Sequence, residues 1–301
     1  MENFVLLPVC FALGVLLRRS GRLPEATPAV LNGFILHVAL PALALHHLRH
    51  LRWTPELLAP IAMAWVLFGA GCAFFFVAAR LFHWSSATTG ALILTGALGN
   101  TSFVGLPMIE VFFGREQMAL GLLIDQLGTY VVLSSVGLLV AARLAAGELA
   151  AATVVKRLAT FPPLIAVFVA LASAGLPLPA CIEALFTRLA DTLVPLALVS
   201  VGFQLRLAAL GERWRPLAAG LAYKLVAGPL VIFGLFAATV GLDDTAMRVA
   251  VFEAAMAPMI GGAIVAAQHK LDPELGALML GVGIPLSFLT VPLWWMVLAG
   301  A

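Results

Sequence analysis

Long apolar runs, separated by short clusters of charged and turn-forming residues, dominate the chain. A helix needs about 20 apolar residues, or somewhat fewer, to cross the hydrocarbon core of a bilayer. The runs are continuous rather than alternating, and backbone groups in lipid must be paired within their segment, so they indicate helices rather than barrel strands. The pattern predicts an all-α transmembrane fold of ten helices, over residues 3–17, 28–46, 57–82, 86–113, 117–142, 158–174, 182–205, 216–240, 246–268 and 274–299.

The composition agrees with a membrane protein. Hydrophobic residues make up 62% of the 301 positions and charged residues only 11%, whereas a soluble domain has about 25% charged residues. A net charge of +2 and the lack of a basic run with interleaved aromatics argue against a nucleic-acid partner. The three cysteines, Cys10, Cys72 and Cys181, are isolated and form no metal or redox spacing, so no cofactor is expected.

The distribution of lysine and arginine predicts the orientation, because these residues concentrate in cytoplasmic loops. Loops after even-numbered helices hold fewer of them, namely Arg49, Arg52, Arg115, Arg188 and Arg248. Loops after odd-numbered helices hold Arg18, Arg19, Arg22, Arg80, Arg143, Lys156, Arg157, Arg206, Arg213, Arg215 and Lys270. We therefore expect a multi-pass protein of the bacterial inner (plasma) membrane with both termini outside.

Weak internal similarity predicts two related halves. Pro41 in the second helix and Pro195 in the seventh lie in similar Leu- and Ala-rich runs. Pro107 follows the first of them by 66 residues, and Pro258 follows the second by 63. Because each half has an odd number of helices, the second copy would enter the membrane from the opposite side. The predicted inverted repeats span residues 1–147 and 148–301.

Two predicted helices contain residues that break helices. The fourth carries Gly99–Pro107 and the ninth carries Ala257–Gly262, and glycine and proline both favour an unwound backbone. Half-helix N-termini at such breaks attract anions, and paired interruptions in matching positions indicate a transporter site. The simpler alternative is that these residues only kink two transmembrane helices.

Ionisable residues within the predicted spans need a reason, because a charge at the bilayer centre costs about 2.5–3.5 kcal/mol on insertion scales. Glu253 lies in the ninth helix, and Asp125 lies in the fifth, one turn before Thr129. With Asn100 they offer the oxygen atoms that a hard cation prefers, and a proton is the other option. Alternatively, each carboxylate only caps or pairs within the bundle.

Three further polar residues have open roles. His37 and Asp191 occupy equivalent positions, four residues before the repeated prolines of the second and seventh helices. Each fits either a functional role or simple packing. Lys224, about eight residues into the eighth helix, fits three alternatives: snorkelling to the cytoplasmic side, pairing with a carboxylate, or attracting an anionic substrate.

The chain resembles the auxin efflux carrier family in Asn100 to Pro107, in Asp125-Gln126 and in the run from Asp272 to Trp295. The resemblance implies the ten-helix fold of the bile-acid sodium symporters. In that fold helices 1, 2, 6 and 7 form a scaffold, helices 3–5 and 8–10 form a transport domain, and helices 4 and 9 cross where they are broken. Bacterial members are commonly linked to carboxylates.

The resemblance also implies site residues. It places an anionic substrate near Asn100, Thr101, Ser102, Pro258, Gly261, Gly262, Pro41 and Pro195. It implies a sodium site at Glu253, Asn100 and Asp125, with Thr129 and Met256 as further cation ligands. The chain departs from the bile-acid relatives at Ala257 and Pro258, where they carry amides, which puts a second sodium site in doubt.

The sequence thus predicts a secondary transporter, not an enzyme, that moves a small organic anion by alternating access, with sodium rather than a proton as coupling ion. The alternatives are a proton-coupled carrier and an uncoupled uniporter or channel. An intramembrane aspartyl protease using Asp125 and Asp191 is disfavoured, because no Gly-x-Gly-Asp stretch surrounds either residue. Expected partners are the substrate and the lipid bilayer, with a homodimer left open.

Overall fold

The computed structural model describes residues 2–51, 54–146, 150–205 and 213–300, and within these ranges it is helical, without strands. Arg52 and Arg206, which enter the orientation argument, and the predicted boundary of the two halves lie outside these ranges. Thirteen continuous helices occur in the described part. They are α1 (Glu2–Arg19), α2 (Thr27–His50), α3 (Pro55–Phe82), α4 (Ser86–Gly96), α5 (Thr101–Phe112), α6 (Arg115–Leu144), α7 (Ala151–Ala159), α8 (Pro162–Ala172), α9 (Ala180–Gln204), α10 (Trp214–Thr239), α11 (Thr245–Ala254), α12 (Ile260–Gln268) and α13 (Pro273–Ala299).

Six of the described helices are long and apolar enough to cross a membrane, namely α2, α3, α6, α9, α10 and α13. A seventh crossing results if α7 and α8, which meet at a 59° bend, count as one span. The number is lower than the ten predicted because three predicted segments are interrupted and because α1, the counterpart of segment 3–17, is short and has charged residues at both ends. Segments 86–113 and 246–268 are each two short helices, and Pro162 begins α8 afresh. The protein is nevertheless a multi-pass membrane protein.

Short π-helical turns recur within the long helices. Ile35–Ala39, Thr101–Gly105 and Tyr223–Ala227 each end two residues before a proline. Proline lacks an amide hydrogen and clashes with the carbonyl four residues before it, so the wider turn absorbs the disruption without ending the helix. Such turns often mark functional sites, and here Asp125 lies in the π-turn Ile124–Thr129 and Lys224 lies in Tyr223–Ala227.

Small residues let α1, α2, α8 and α9 pack closely. A Cβ atom added to Gly202 of α9 would collide with the carbonyl oxygen of Phe11, and one added to Gly14 of α1 would collide with that of Val199. Helices α8 and α9 also pack against α2. Close backbone approach through small residues is the usual way in which membrane helices associate, because lipid offers no hydrophobic drive.

Replacing Gly202 should loosen this packing. We expect Gly202→Ala to lower the free energy of unfolding by about 1–3 kcal/mol, the usual cost of overpacking, because the new methyl meets backbone that cannot move aside. The measurement is thermal unfolding of the detergent-purified protein. The matched control is Gly234→Ala in α10, where a Cβ meets open space. Equal melting temperatures for the two variants would contradict the prediction.

Candidate functional site

The two predicted break regions contain real interruptions, and the interruptions lie side by side. Helix α4 ends at Gly96 and α5 begins at Thr101, while α11 ends at Ala254 and α12 begins at Ile260. The intervening segments run antiparallel, with a bridge between Gly99 and Pro258. Four half-helix ends therefore meet at one place inside the helical bundle.

Backbone hydrogen bonds join the two interruptions. The amide of Asn100 donates to the carbonyl of Ala257 at 2.9 Å, and the amide of Met259 donates to the carbonyl of Thr95 at 3.0 Å. Unwound backbone at membrane depth is tolerated only where protein or a wet cavity satisfies its polar groups. Each interruption therefore satisfies some of the backbone polar groups of the other. A break in one helix alone would leave these groups unpaired and would cost more free energy.

The Asp125 carboxylate ties α6 to the first turn of α5. Its Oδ1 atom accepts a hydrogen bond from the Thr101 hydroxyl at 2.5 Å, and its Oδ2 atom accepts from the Ser102 hydroxyl and from Gln126 Nε2, both at 2.6 Å. Hydrogen bonds to a charged group contribute about 1.5–3 kcal/mol each. The structure thus points the Thr101 and Ser102 hydroxyls, predicted to bind substrate, at this carboxylate.

Glu253 is the most unusual side chain of the site. It lies in the last turn of α11, is 0% exposed, and neither carboxylate oxygen has a hydrogen-bond partner among the described residues. The carboxylate faces two glycines: a Cβ on Gly105 would collide with it, and one on Gly121 would lie 3.6 Å from Oε1. A buried charge without partners is strongly unfavourable, so this group calls for a proton or a cation.

Of the predicted cation ligands, the structure links Asn100, Asp125 and Glu253 through the turn Thr101–Gly105. Asn100 precedes that turn and caps it by accepting from the Phe103 amide at 3.2 Å, and its buried Nδ2 has no partner in the described ranges. Gly121 and Asp125, four residues apart, place both carboxylates along one face of α6. Thr129 is buried four residues after Asp125 and Met256 three residues after Glu253, but within those ranges the Glu253 carboxylate has no hydrogen bond to either.

The other predicted substrate residues are mainly packing elements in this conformation. The Pro258 ring fills the space over Gly283 of α13, and Gly262 lies against the Leu94 carbonyl of α4, where a Cβ would collide. A Cβ on Gly261 would lie 3.2 Å from Leu133 of α6. Pro41 and Pro195 are half-buried in α2 and α9.

Lys224 is the site residue whose role the sequence left undecided. Its side chain is 0% exposed, and its ammonium donates to the carbonyl of Ala254, the last residue of α11, at 2.7 Å. It approaches the other interruption too, since a Cβ on Gly99 would lie 3.3 Å from Nζ. Lys224 therefore does not snorkel to the membrane surface. In the sequence, Lys224 stands out as a possible site residue because it is the one charged residue within the predicted helix 216–240.

Asp191 and His37 do not belong to this cluster. The half-exposed Asp191 pairs with Arg115 at 3.1 Å, and Arg115 also pairs with Glu110 at 2.7 Å. Arg115 begins α6 and lies ten residues, or about 15 Å, before Asp125 along that helix. The two aspartates of the protease alternative are thus held by different partners. The ring of His37 bonds to the Gly33 carbonyl of its own helix.

Two clefts separate α2 and α9 from the helices around the interruptions. The larger, about 670 Å³, lies among α1, α2, α9, α12 and α13 and is lined in part by Arg18, Asn32 and Gln204. Ser200 bonds to Asn32 at 2.6 Å, and Gln204 bonds to Ser200 at 3.2 Å, so a polar chain follows one wall. The smaller, about 200 Å³, contains Arg115 and Asp191 and lies beside the C-terminal half of α2 and the middle of α9.

Removing one of the hydrogen-bond donors to the Asp125 carboxylate should destabilise the protein. We expect Ser102→Ala to cost about 1.5–3 kcal/mol, because a buried carboxylate loses a charged hydrogen bond. The control is Ser287→Ala, which removes a buried hydroxyl that donates only to the Ile284 carbonyl of its own helix. Thermal unfolding of the purified variants measures both. A larger loss for Ser287→Ala than for Ser102→Ala would refute this account of Asp125.

Comparison with known proteins identifies the family. A family model described as membrane transport protein matches residues 1–295. A protein of Methanothermobacter thermautotrophicus, described as an uncharacterized transporter, is 26% identical over 99% of this chain and 98% of its own length. Another uncharacterized transporter, from Methanocaldococcus jannaschii, is 24% identical over 99% of each chain. The chain therefore belongs to the membrane transport protein family, the family of the auxin efflux carriers that its motifs resemble.

Proposed function

We propose that the protein is a secondary transporter that moves a small organic anion, a carboxylate, by alternating access, with sodium as the coupling ion at Glu253. The observation that carries the proposal is the buried Glu253 carboxylate, which has no hydrogen bond from any described residue and lies where two broken helices meet. A cation would remove the unfavourable free charge, and its departure would restore it. Cation binding is thereby linked to the conformation of the interruptions.

The architecture that we propose has ten crossings in two inverted halves, 1–147 and 148–301. Helices α4 and α5 form one interrupted crossing, α11 and α12 form another, and α7 and α8 form a bent one. The antiparallel pairing of the interruptions supports an inverted relation. Helices α1, α2, α7, α8 and α9 would be the scaffold, and the remainder the transport domain, in a bacterial inner membrane with both termini outside.

The anion would bind near the two half-helices that begin at the interruptions. Helix N-termini carry unpaired amides and partial positive charge, which attract carboxylates. The first turn of α12 has no side-chain cap, and the Asn100 Nδ2 donor has no partner among the described residues. These donors favour an anion over a cationic or apolar substrate.

The two clefts would be the two mouths of the substrate pathway. Both lie between the proposed scaffold and transport domain, one beside the N-terminal half of α2 and the other beside its C-terminal half. The mouth beside Arg18 is the wider one, whereas the ion pair of Arg115 with Asp191 bridges the narrow mouth. This conformation corresponds to access from the side predicted to be cytoplasmic.

Uptake into proteoliposomes tests the function directly. With a panel of dicarboxylates, an inward sodium gradient should drive accumulation, and Glu253→Gln should abolish it while retaining exchange, because the amide needs no cation. Glu56→Gln, a change at an exposed residue of α3, is the matched control.

Separate gradients distinguish the alternatives. Accumulation that follows only a proton gradient would replace sodium by a proton as coupling ion. Uptake indifferent to both gradients would reject coupling and leave a uniporter or channel.

The ion pair at the narrow mouth gives a second test. Asp191→Arg should favour opening of that mouth by about 1.4- to fivefold, since an exposed pair contributes about 0.2–1 kcal/mol. The measurement is labelling of Met118→Cys, which lines the small cleft, by a membrane-impermeant maleimide in a background without native cysteines. The double exchange Arg115→Asp with Asp191→Arg should return labelling to its original rate. Labelling that ignores both exchanges would argue against this gate.

A further inference from the structure

We propose that Lys224 is a tethered cation: its ammonium holds the carbonyl end of α11 and offsets one of the two buried carboxylates, which leaves room for one mobile monovalent cation, at Glu253. The mobile-cation part rests on the proposed function, whereas the tethered charge is independent of any transported substrate. The argument uses the anchoring of Lys224, its acceptor and the balance of buried charge.

The position of Lys224 is anchored on both sides. The hydroxyl of the preceding Tyr223 donates to the Leu67 carbonyl of α3 at 2.7 Å, and the carbonyl of the following Leu225 accepts from Trp294 Nε1 of α13 at 2.9 Å. Both anchors are buried and lie in the same π-turn as Lys224. The lysine is therefore held toward the interruptions by two neighbouring helices, and its ammonium is part of the built site.

The acceptor of Lys224 is a carbonyl that would favour a cation. The last carbonyls of a helix lack partners within the helix and carry partial negative charge. Ala254 ends α11, and its carbonyl receives the Lys224 ammonium at 2.7 Å. A Cβ on Gly99 would lie 2.9 Å from the Glu253 carbonyl and 3.3 Å from the ammonium, so Gly99 leaves the space in which the ammonium sits.

The buried charges near the interruptions require one more cation for neutrality. Among the described residues the buried charged side chains are Arg49, Asp125, Lys224 and Glu253. Arg49 donates to the Leu176 carbonyl, at an end of α2. If ionised, the carboxylates of Asp125 and Glu253 and the ammonium of Lys224 sum to one negative charge around the interruptions.

Lys224 offsets charge without blocking Glu253. The described ranges contain no hydrogen bond from the ammonium to the Glu253 carboxylate, whose two oxygens both remain without partners. Asp125 already accepts from three donors. The orphaned Glu253 oxygens are thus the place for a single mobile cation, while the lysine fills the neighbouring carbonyl position permanently.

A substrate-free experiment tests this assignment. Purified protein in detergent is melted while sodium chloride replaces choline chloride at constant ionic strength. We expect Lys224→Gln to lower the melting temperature in choline by about 5–10 °C, the effect of unbalancing a buried charge. Sodium should restore the melting temperature of Lys224→Gln. The melting temperature of this variant should rise more steeply with sodium concentration, as expected for two bound ions rather than the one ion of the unaltered protein. Lys224→Arg should behave like the unaltered protein, and the exposed Lys156→Gln is the control.

The double variant Lys224→Gln with Glu253→Gln decides whether charge is the reason. If the lysine is a counter-charge, the double variant melts well above the temperature that adding the two single changes would give, because removing Glu253 also removes the charge that Lys224 offsets. Additive changes, or a Lys224→Gln variant with unchanged melting and sodium dependence, would overturn the proposal. If Lys224→Gln does not fold, a folded double variant supports the proposal and failure of both overturns it.

These readouts separate the inference from the proposed function. Non-additivity between positions 224 and 253 requires neither sodium binding nor a transported substrate. A protein that shows it but accumulates no carboxylate in proteoliposomes would retain the tethered cation and lose the transport assignment. A protein that accumulates carboxylate, but in which the effects of the two substitutions add, would retain the transport assignment and lose the tethered cation.

Discussion

The structure depends on one constraint, the pairing of backbone polar groups that two interrupted helices expose to each other. Inside a membrane a lone interruption would leave amides and carbonyls without partners. The hydrogen bonds from Asn100 to Ala257 and from Met259 to Thr95 satisfy several of them at once. Because the segments are antiparallel, two helix beginnings and two helix ends come together, and the site acquires both anion-attracting and cation-attracting poles from backbone alone.

Side chains then complete what the backbone leaves open. Asp125 binds the hydroxyls at the start of α5, and Lys224 binds the carbonyl at the end of α11, so each pole has received a side chain of opposite charge. Among the described residues Glu253 has no such partner, and the missing side chain of Gly105 leaves the space that its carboxylate occupies. In our proposal this unsatisfied carboxylate is the position whose occupancy changes.

Much of this arrangement was predictable from sequence, since helix-breaking residues and buried acids are local signals. The interruptions, Asp125 and Glu253 stand where glycine, proline and isolated carboxylates indicate them. What local pattern could not supply is which groups touch. Thr101 and Ser102 contact Asp125, Gly262 packs on Leu94, and Lys224 reaches across from α10, and all three results depend on tertiary packing. The count of continuous apolar helices also fell short, because apolar length does not reveal where a helix bends.

The contrast that we propose between a fixed charge at Lys224 and an exchangeable one at Glu253 rests on how each side chain is held. Lys224 lies between two anchored neighbours and has a backbone acceptor, so its ammonium would have to leave a hydrogen bond in order to move. In the part of the chain that the structure describes, Glu253 makes no side-chain hydrogen bond, and Gly105 and Gly121 lie against its carboxylate. In the mechanism that we propose, a cation entering or leaving at Glu253 would therefore break no hydrogen bond of this side chain, while Lys224 keeps its positive charge in place. The site could then change its charge state without dismantling the backbone pairing around it.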